Sequence, residues 1–310
     1  MGTTKLQHLE RLARARCALD GLSVGDGFGD RWFYVTPSVV LVNLRMKIEP
    51  APLWSFTDDT QMALSIYSIL RQFQMVDQDQ LALSFVRQYD PQRKYGAAMR
   101  GLFMQIKLGT PWRAAAQSLF GGQGSFGNGA AMRVAPIGGY YADDLPQAAE
   151  QARRSAEVTH AHPEGIAGAI AVAVATAVAW QARTANIFLT RQDFIERIVP
   201  FIPDSEVRRK TILARDMAEN GITLDSVVEE LGNGLEISAQ DTVPFCLWSA
   251  GEHLKDYETA LWQTTRAGGD IDTNCAIVGG IVAMSVGIEG IPARWLHNRE
   301  PLPAWAFTED

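Results

Sequence analysis

The sequence predicts a single, mainly α-helical domain, and two observations carry that expectation. Apolar residues recur at three- and four-residue steps in most segments, and no linker, low-complexity tract or tandem repeat divides the chain. At 310 residues the chain lies near the upper end of what one hydrophobic core supports, and with 47% hydrophobic residues it can build a packed core. One domain over residues 1–310 is the economical reading.

Leu9, Leu12, Arg16 and Leu19 mark a first helix whose polar face carries arginines. Gly25-Asp26-Gly27-Phe28-Gly29-Asp30 reads as its closing segment, and the glycine setting of Asp26 suggests a buried carboxylate near a site. Tyr34 to Leu44 is the one strand-like run, weakened by Pro37. Met62, Ile66, Ile69, Leu70 and Phe73 recur at helical spacing directly after Asp58 and Asp59, which places both acids at a helix start. Thr110 and Pro111 supply a cap and a first position for a helix to about Leu119. Further helices are expected over Leu145–Val158, Gly165–Ala182, Gln192–Ile198, Ser205–Ala218 and Asn274–Ser285. The apolar run Gly165 to Trp180 is mostly Ala and Val and falls short of a bilayer span, so it reads as a buried helix.

The net charge of −7 argues against general affinity for nucleic acid or anionic membrane and favours a small ligand or a protein partner. Cys17, Cys246 and Cys275 are odd in number and lack C-x-x-C spacing, so neither a disulfide framework nor a cysteine zinc site is expected. Together with the lack of a basic-then-apolar leader, this points to the reducing cytoplasm. Nothing in the surface pattern demands a dimer, so a monomer is expected.

Thr57-Asp58-Asp59-Thr60 offers adjacent carboxylates and hydroxyls, the hard oxygen donors that Mg²⁺, Mn²⁺ and Ca²⁺ prefer. A helix cap explains one of these acids. It does not explain two, because neighbouring carboxylates in an apolar setting repel unless a cation lies between them. Gly268-Gly269-Asp270-Ile271-Asp272-Thr273 repeats the situation ahead of an apolar helix. Four carboxylates meeting at two helix starts suit a pair of metal ions that activate a water. An Asp-x-Asp nucleophile or glycosyltransferase motif would need a preceding strand, whereas Leu261 to Ala267 reads as helix and turn.

Gly121 to Gly129 is the densest glycine stretch and contains a literal G-x-G-x-x-G. The dinucleotide fingerprint must follow a strand, but Pro111 to Phe120 looks helical, so a phosphate- or ribose-binding loop with Ser125 and Asn128 as polar contacts is preferred. His160 and His162 have no third ligand at metal spacing, which favours capping or substrate contact over zinc.

In this order, Gly25–Gly29, Trp54–Met62, Gly124–Arg133, Thr159–Pro163 and Gly268–Gly280 resemble the ADP-ribosylglycohydrolase family over nearly the whole chain. The resemblance implies a compact all-α orthogonal helix bundle with a central binuclear Mg²⁺ or Mn²⁺ site, and hydrolysis of ADP-ribose from a modified protein, with arginine favoured over serine as the acceptor. By matching position it implies metal ligands Thr57, Asp58, Asp59, Asp270, Asp272 and Thr273, with Asp58 or Asp272 assisting proton transfer. It implies ligand contacts from Asp26, Gly124, Ser125, Phe126, Gly127, Asn128, Gly129 and His160. Phe33 stands where many relatives carry a glutamate, with Asp30 acidic but offset, and Phe126 replaces a frequent tyrosine. Two other readings use the same residues: a non-catalytic protein on this fold, against which the clustered acids count, and a metal-dependent glycosyl or phosphoryl transferase, against which the lack of strand patterns counts.

Overall fold

A computed structural model describes residues 4–34, 37–218 and 221–308. Among them the chain forms sixteen α-helices and no strand, only two isolated bridges, in agreement with the expected all-α class. The first helix, α1 (Lys5–Asp30), opens on a capping box in which Thr4 and Gln7 satisfy each other's backbone N–H groups. It does not end before the glycine-rich segment. Gly25 to Asp30 is the buried, helical last part of it, in agreement with its reading as the closing segment and with a buried Asp26.

The physical reason is helix packing. Gly21, Gly25 and Gly29 lie four residues apart on one face of α1, against α15 (Ile271–Val286). A Cβ at these positions would stand 2.4 Å from Gly279 O, 2.0 Å from Cys275 O and 2.7 Å from the Cα of Asp272, respectively. The glycines therefore permit an approach that any side chain would block. That approach brings Asp26 beside the start of α15.

Between these two helices run α2 (Pro37–Met46), α3 (Asp58–Phe73), α4 (Gln78–Arg87), α5 (Ala97–Lys107), α6 (Trp112–Gly122), α7 (Ala135–Tyr140) and α8 (Leu145–Glu157). They are followed by α9 (Pro163–Thr184), α10 (Arg191–Ile198), α11 (Glu206–Asp216), α12 (Leu224–Leu231), α13 (Ala239–Glu252) and α14 (Tyr257–Arg266), and α16 (Ala293–Asn298) comes last. The expected strand Tyr34–Leu44 is corrected to helix over its described part from Pro37. Residues 35–36 lie outside the described ones. Pro37 opens that helix, where its missing N–H costs nothing. The Thr110 cap is also corrected: Pro111 occupies the N-cap and no side chain bonds the first turn of α6. The helices read at Leu145, Gly165, Gln192, Ser205 and Asn274 are present to within a few residues at each end.

α9 is long and apolar enough to cross a membrane by length and composition, yet 83% of that window is buried inside the protein. It packs on α8, α15, α7 and α13 as a core helix. A second nucleus is aromatic. Phe28 of α1 stacks on Trp295 at 4.5 Å and meets Trp54 and Trp262 edge-on, tying the C-terminal half of α1 to α14 and α16.

Candidate metal centre and ligand cleft

The chain between α2 and α3 delivers Thr57 as the N-cap of α3, with its hydroxyl accepting from Asp59 N at 3.4 Å. The cap reading is therefore correct for Thr57. Asp58 and Asp59 occupy the first turn, where the helix dipole favours negative charge. The position of the turn is set from α1. Asp26, fully buried, accepts from Thr57 N at 2.9 Å and Thr60 N at 3.1 Å, and from their hydroxyls at 2.9 and 2.5 Å.

One oxygen each of Asp26, Asp59 and Asp272 lie within 4.8 Å of one another, a grouping that can hold a metal ion. Asp26 is the least available of the three, because the threonine donors already occupy both its oxygens. Its place is behind the site as an anchor, not on the cleft wall where a ligand contact was expected. Asp59 is the opposite case: its Oδ1 is buried and has no hydrogen-bond partner. An unpartnered buried carboxylate oxygen in a cluster of acids is what a bound cation would satisfy, and an all-oxygen donor set suits a hard divalent ion.

The electrostatics agree. Burial, followed by the charge of Asp26, pushes the Asp58 carboxyl up to about 8. Asp59 is held well above the ordinary carboxylate range by burial and then by Asp26 and Asp272, and Asp272 by burial and then by Asp270. Asp26 itself rises to about 6 through burial, with the Thr60 and Thr57 hydrogen bonds pulling the other way. Raised carboxyls of this kind release protons when a divalent ion binds among them.

A cleft of about 440 Å³ runs from these acids to the glycine loop. Asp58, Asp59, Asp270, Asp272 and Thr273 line it, together with Ser125, Phe126, Gly127, Asn128, Gly129 and His160. Thr57 and Gly124 do not: Thr57 is spent on the cap and on Asp26, and Gly124 packs on the backbone of the His162 turn. Gly124 has φ +77°, and a Cβ there would stand 2.7 Å from His162 N, so glycine is required. Beneath the loop, the His160 ring would be 3.1 Å from a Cβ at Gly129. Its Nδ1 bonds Thr159 Oγ1 at 2.7 Å, and burial, then the nearby Arg133 charge, lowers it to about 3, so the imidazole is neutral. His162 does the capping: its Nδ1 accepts from Glu164 N at the start of α9.

Sequence reasoning missed the loop Gly232–Ser238. Asn233 O accepts from Asp270 N and from the Asn274 amide, while Ile237 and Ser238 pair with the glycine loop. Asn233-Gly234 is a turn signal, but nothing in its residue types announces a place beside two distant motifs. Lys94 and Glu236 also line the cleft. Lys94 pairs with buried Asp30, whereas Phe33 sits half-exposed on the turn after α1 and does not line the cleft.

A model of the ADP-ribosylglycohydrolase family matches residues 7–308. The chain belongs to that family. It is 29% identical to human ADP-ribosylhydrolase ARH3 over 93% of its own length and 90% of the relative's, and 34% identical to the Xenopus tropicalis ADP-ribosylhydrolase ARH3 over 79% and 77%. A solved structure described as an ADP-ribosylglycohydrolase-related protein complex superposes with a TM-score of 0.64 at 23% identity, covering 94% of both chains. That likeness speaks for the family fold alone.

Proposed function

We propose that this chain is a cytoplasmic hydrolase that removes ADP-ribose from a modified protein side chain, using two Mg²⁺ or Mn²⁺ ions. The observation that carries this reading is the single cleft in which both acid clusters and the glycine loop meet. Relatives named ADP-ribosylhydrolase support the reaction class, and three free cysteines support a reducing compartment.

Asp59, Asp272, Asp58, Asp270 and Thr273 are the residues that would hold the ions. Divalent ions bound there supply Lewis acidity and a water acidified toward neutral pH. The glycine loop offers backbone N–H groups to the pyrophosphate, with Phe126 as a flat apolar surface beside it. Asp58 or Asp272 takes the proton of the attacking water as its oxygen bonds the anomeric carbon. The bond to the acceptor nitrogen or oxygen breaks, and the same carboxyl can return the proton to the departing atom. His160, held neutral, can hydrogen-bond the ligand without adding charge.

Arginine is placed first as acceptor. Five carboxylates line the cleft and Lys94 is paired with Asp30, so with two divalent ions and the pyrophosphate bound the cleft remains negative, which favours a guanidinium over a neutral serine. The test is incubation with ADP-ribosylated arginine and serine peptides, with Mg²⁺ or Mn²⁺ and with chelator. Metal-dependent release of ADP-ribose from the arginine peptide is expected; release from serine alone corrects the acceptor, and release from neither overturns the proposal.

A further inference from the structure

Three segments distant in sequence form one hydrogen-bonded unit on one wall of the cleft: the glycine loop, the Gly232–Ser238 loop and the start of α15. Asn128 is where they join. Its Nδ2 donates to Asp270 Oδ2 at 2.7 Å and to Thr242 Oγ1 at 3.0 Å, and its backbone N–H donates to Ile237 O. The side chain is buried, so both amide hydrogens are used inside the protein. Among the described residues, it is the one side chain of the glycine loop that bonds an acid of either cluster.

Asp270 is held with little slack. It occupies the N-cap position of α15, yet its side chain caps nothing and turns to Asn128 instead. Its backbone N–H is bonded to Asn233 O, and a Cβ at Gly234 would stand 2.7 Å from its own Cβ. A Cβ at the preceding Gly269 would stand 2.1 Å from Asn233 O. With Asp270 so packed, the bond from Asn128 is the direct link by which a shift of the glycine loop would reach its carboxylate.

We propose that Asn128 is a positioning residue that couples ligand occupancy of the glycine loop to metal binding by fixing the Asp270 carboxylate. Outer hydrogen bonds of this kind orient ligating carboxylates, and their loss typically costs roughly 10–100-fold in metal affinity. This inference rests on the function proposed above. The coupling is reciprocal: the factor by which Mn²⁺ tightens ADP-ribose binding equals the factor by which ADP-ribose tightens Mn²⁺ binding.

The experiment measures that factor without turnover, using free ADP-ribose by calorimetry and Mn²⁺ by paramagnetic resonance, in the unmodified chain and in Asn128→Ala. A factor of about 10 or more is expected in the unmodified chain, within the usual range for such coupling, falling to below about 2 in the variant. A role limited to folding would change the separate affinities and leave the factor alone, so an unchanged factor in Asn128→Ala overturns the proposal. A factor near 1 in the unmodified chain does so too. If Asn128→Ala fails to fold, Thr242→Val frees one side of the same amide and is expected to reduce the factor, and an unchanged value overturns the idea. Peptide hydrolysis with a factor near 1 would sink the coupling and leave the proposed function standing. No binding of ADP-ribose and no hydrolysis would sink both.

Discussion

The two acid clusters use the same residue types at the same place, the start of a helix, but the protein holds them differently. The cluster on α3 is anchored from behind: Asp26 takes hydrogen bonds from the backbone and hydroxyl of both Thr57 and Thr60, and Thr57 and Asp59 are almost fully buried. The cluster on α15 is more open: the Asp270 carboxylate takes its bond from Asn128, and the Asp270 backbone N–H donates to Asn233 O. One half of the centre is anchored from within the core, and the Asp270 side of the other is tied to loops that line the cleft. Changes behind the first cluster should therefore show as lost stability, and changes in the second as lost function.

The largest effect separating the two belongs to Asp272→Asn. It should lower hydrolysis roughly 10³-fold, beyond the 10–100-fold typical of an outer partner, while the denaturation midpoint holds or rises because a carboxylate repulsion is gone. A large fall in stability would break the comparison. Asp26→Ala should behave the other way. It leaves several buried N–H and hydroxyl groups without their acceptor, each worth about 1–3 kcal/mol, so a loss of at least ~3 kcal/mol is expected in urea denaturation. A near-neutral result would show that the α3 cluster is not anchored through Asp26.

Proton linkage gives the third test. Asp58, Asp59 and Asp272 have folded values raised above those of the unfolded chain, so the folded state binds more protons and stability falls as pH rises. With chelator present, stability should decline between about pH 4 and the folded Asp58 value of about 8. Saturating Mn²⁺ should flatten that decline and release protons on binding, read by calorimetry in buffers of different ionisation enthalpy. His160 acts in the opposite sense. Its folded value of about 3 is depressed, so its contribution is complete above the unfolded value near 6.5 and is lost as pH falls toward 3. In His160→Gln that loss on acidification should be smaller.

The smallest expected effect grades the glycine loop itself. Gly124→Ala must place a Cβ at φ +77° against the His162 backbone, whereas at Gly127 the nearest atoms are side-chain tips at 3.3 and 3.4 Å. ADP-ribose affinity should fall about tenfold in Gly124→Ala, equivalent to about 1.4 kcal/mol, and less in Gly127→Ala. Equal losses would mean that the loop is not held through Gly124.

Much of this was legible in the chain itself. Helical periodicity, the cap at Thr57 and the clustering of acids with hydroxyls at two helix starts are local facts, and local physics decides them. So is the all-α class, since apolar residues at three- and four-residue steps cannot line one face of a strand. The glycines from Gly25 to Gly29 are visible in the sequence as the end of the first helix, but their purpose is not. A glycine-rich stretch signals a turn when judged by backbone freedom alone, and only the facing α15 shows that these glycines are there for close approach. In the same way, the donors that fill Asp26 and the bond from Asn128 to Asp270 join residues 31 to 142 positions apart, and the unpartnered Oδ1 of Asp59 depends on which atoms surround it. The sequence by itself determined which residues could do chemistry with hard cations and phosphate. Tertiary structure alone decided which of them anchor the site, which face the cleft and which tie one to the other, because burial and hydrogen-bond partnership are properties of the packed chain.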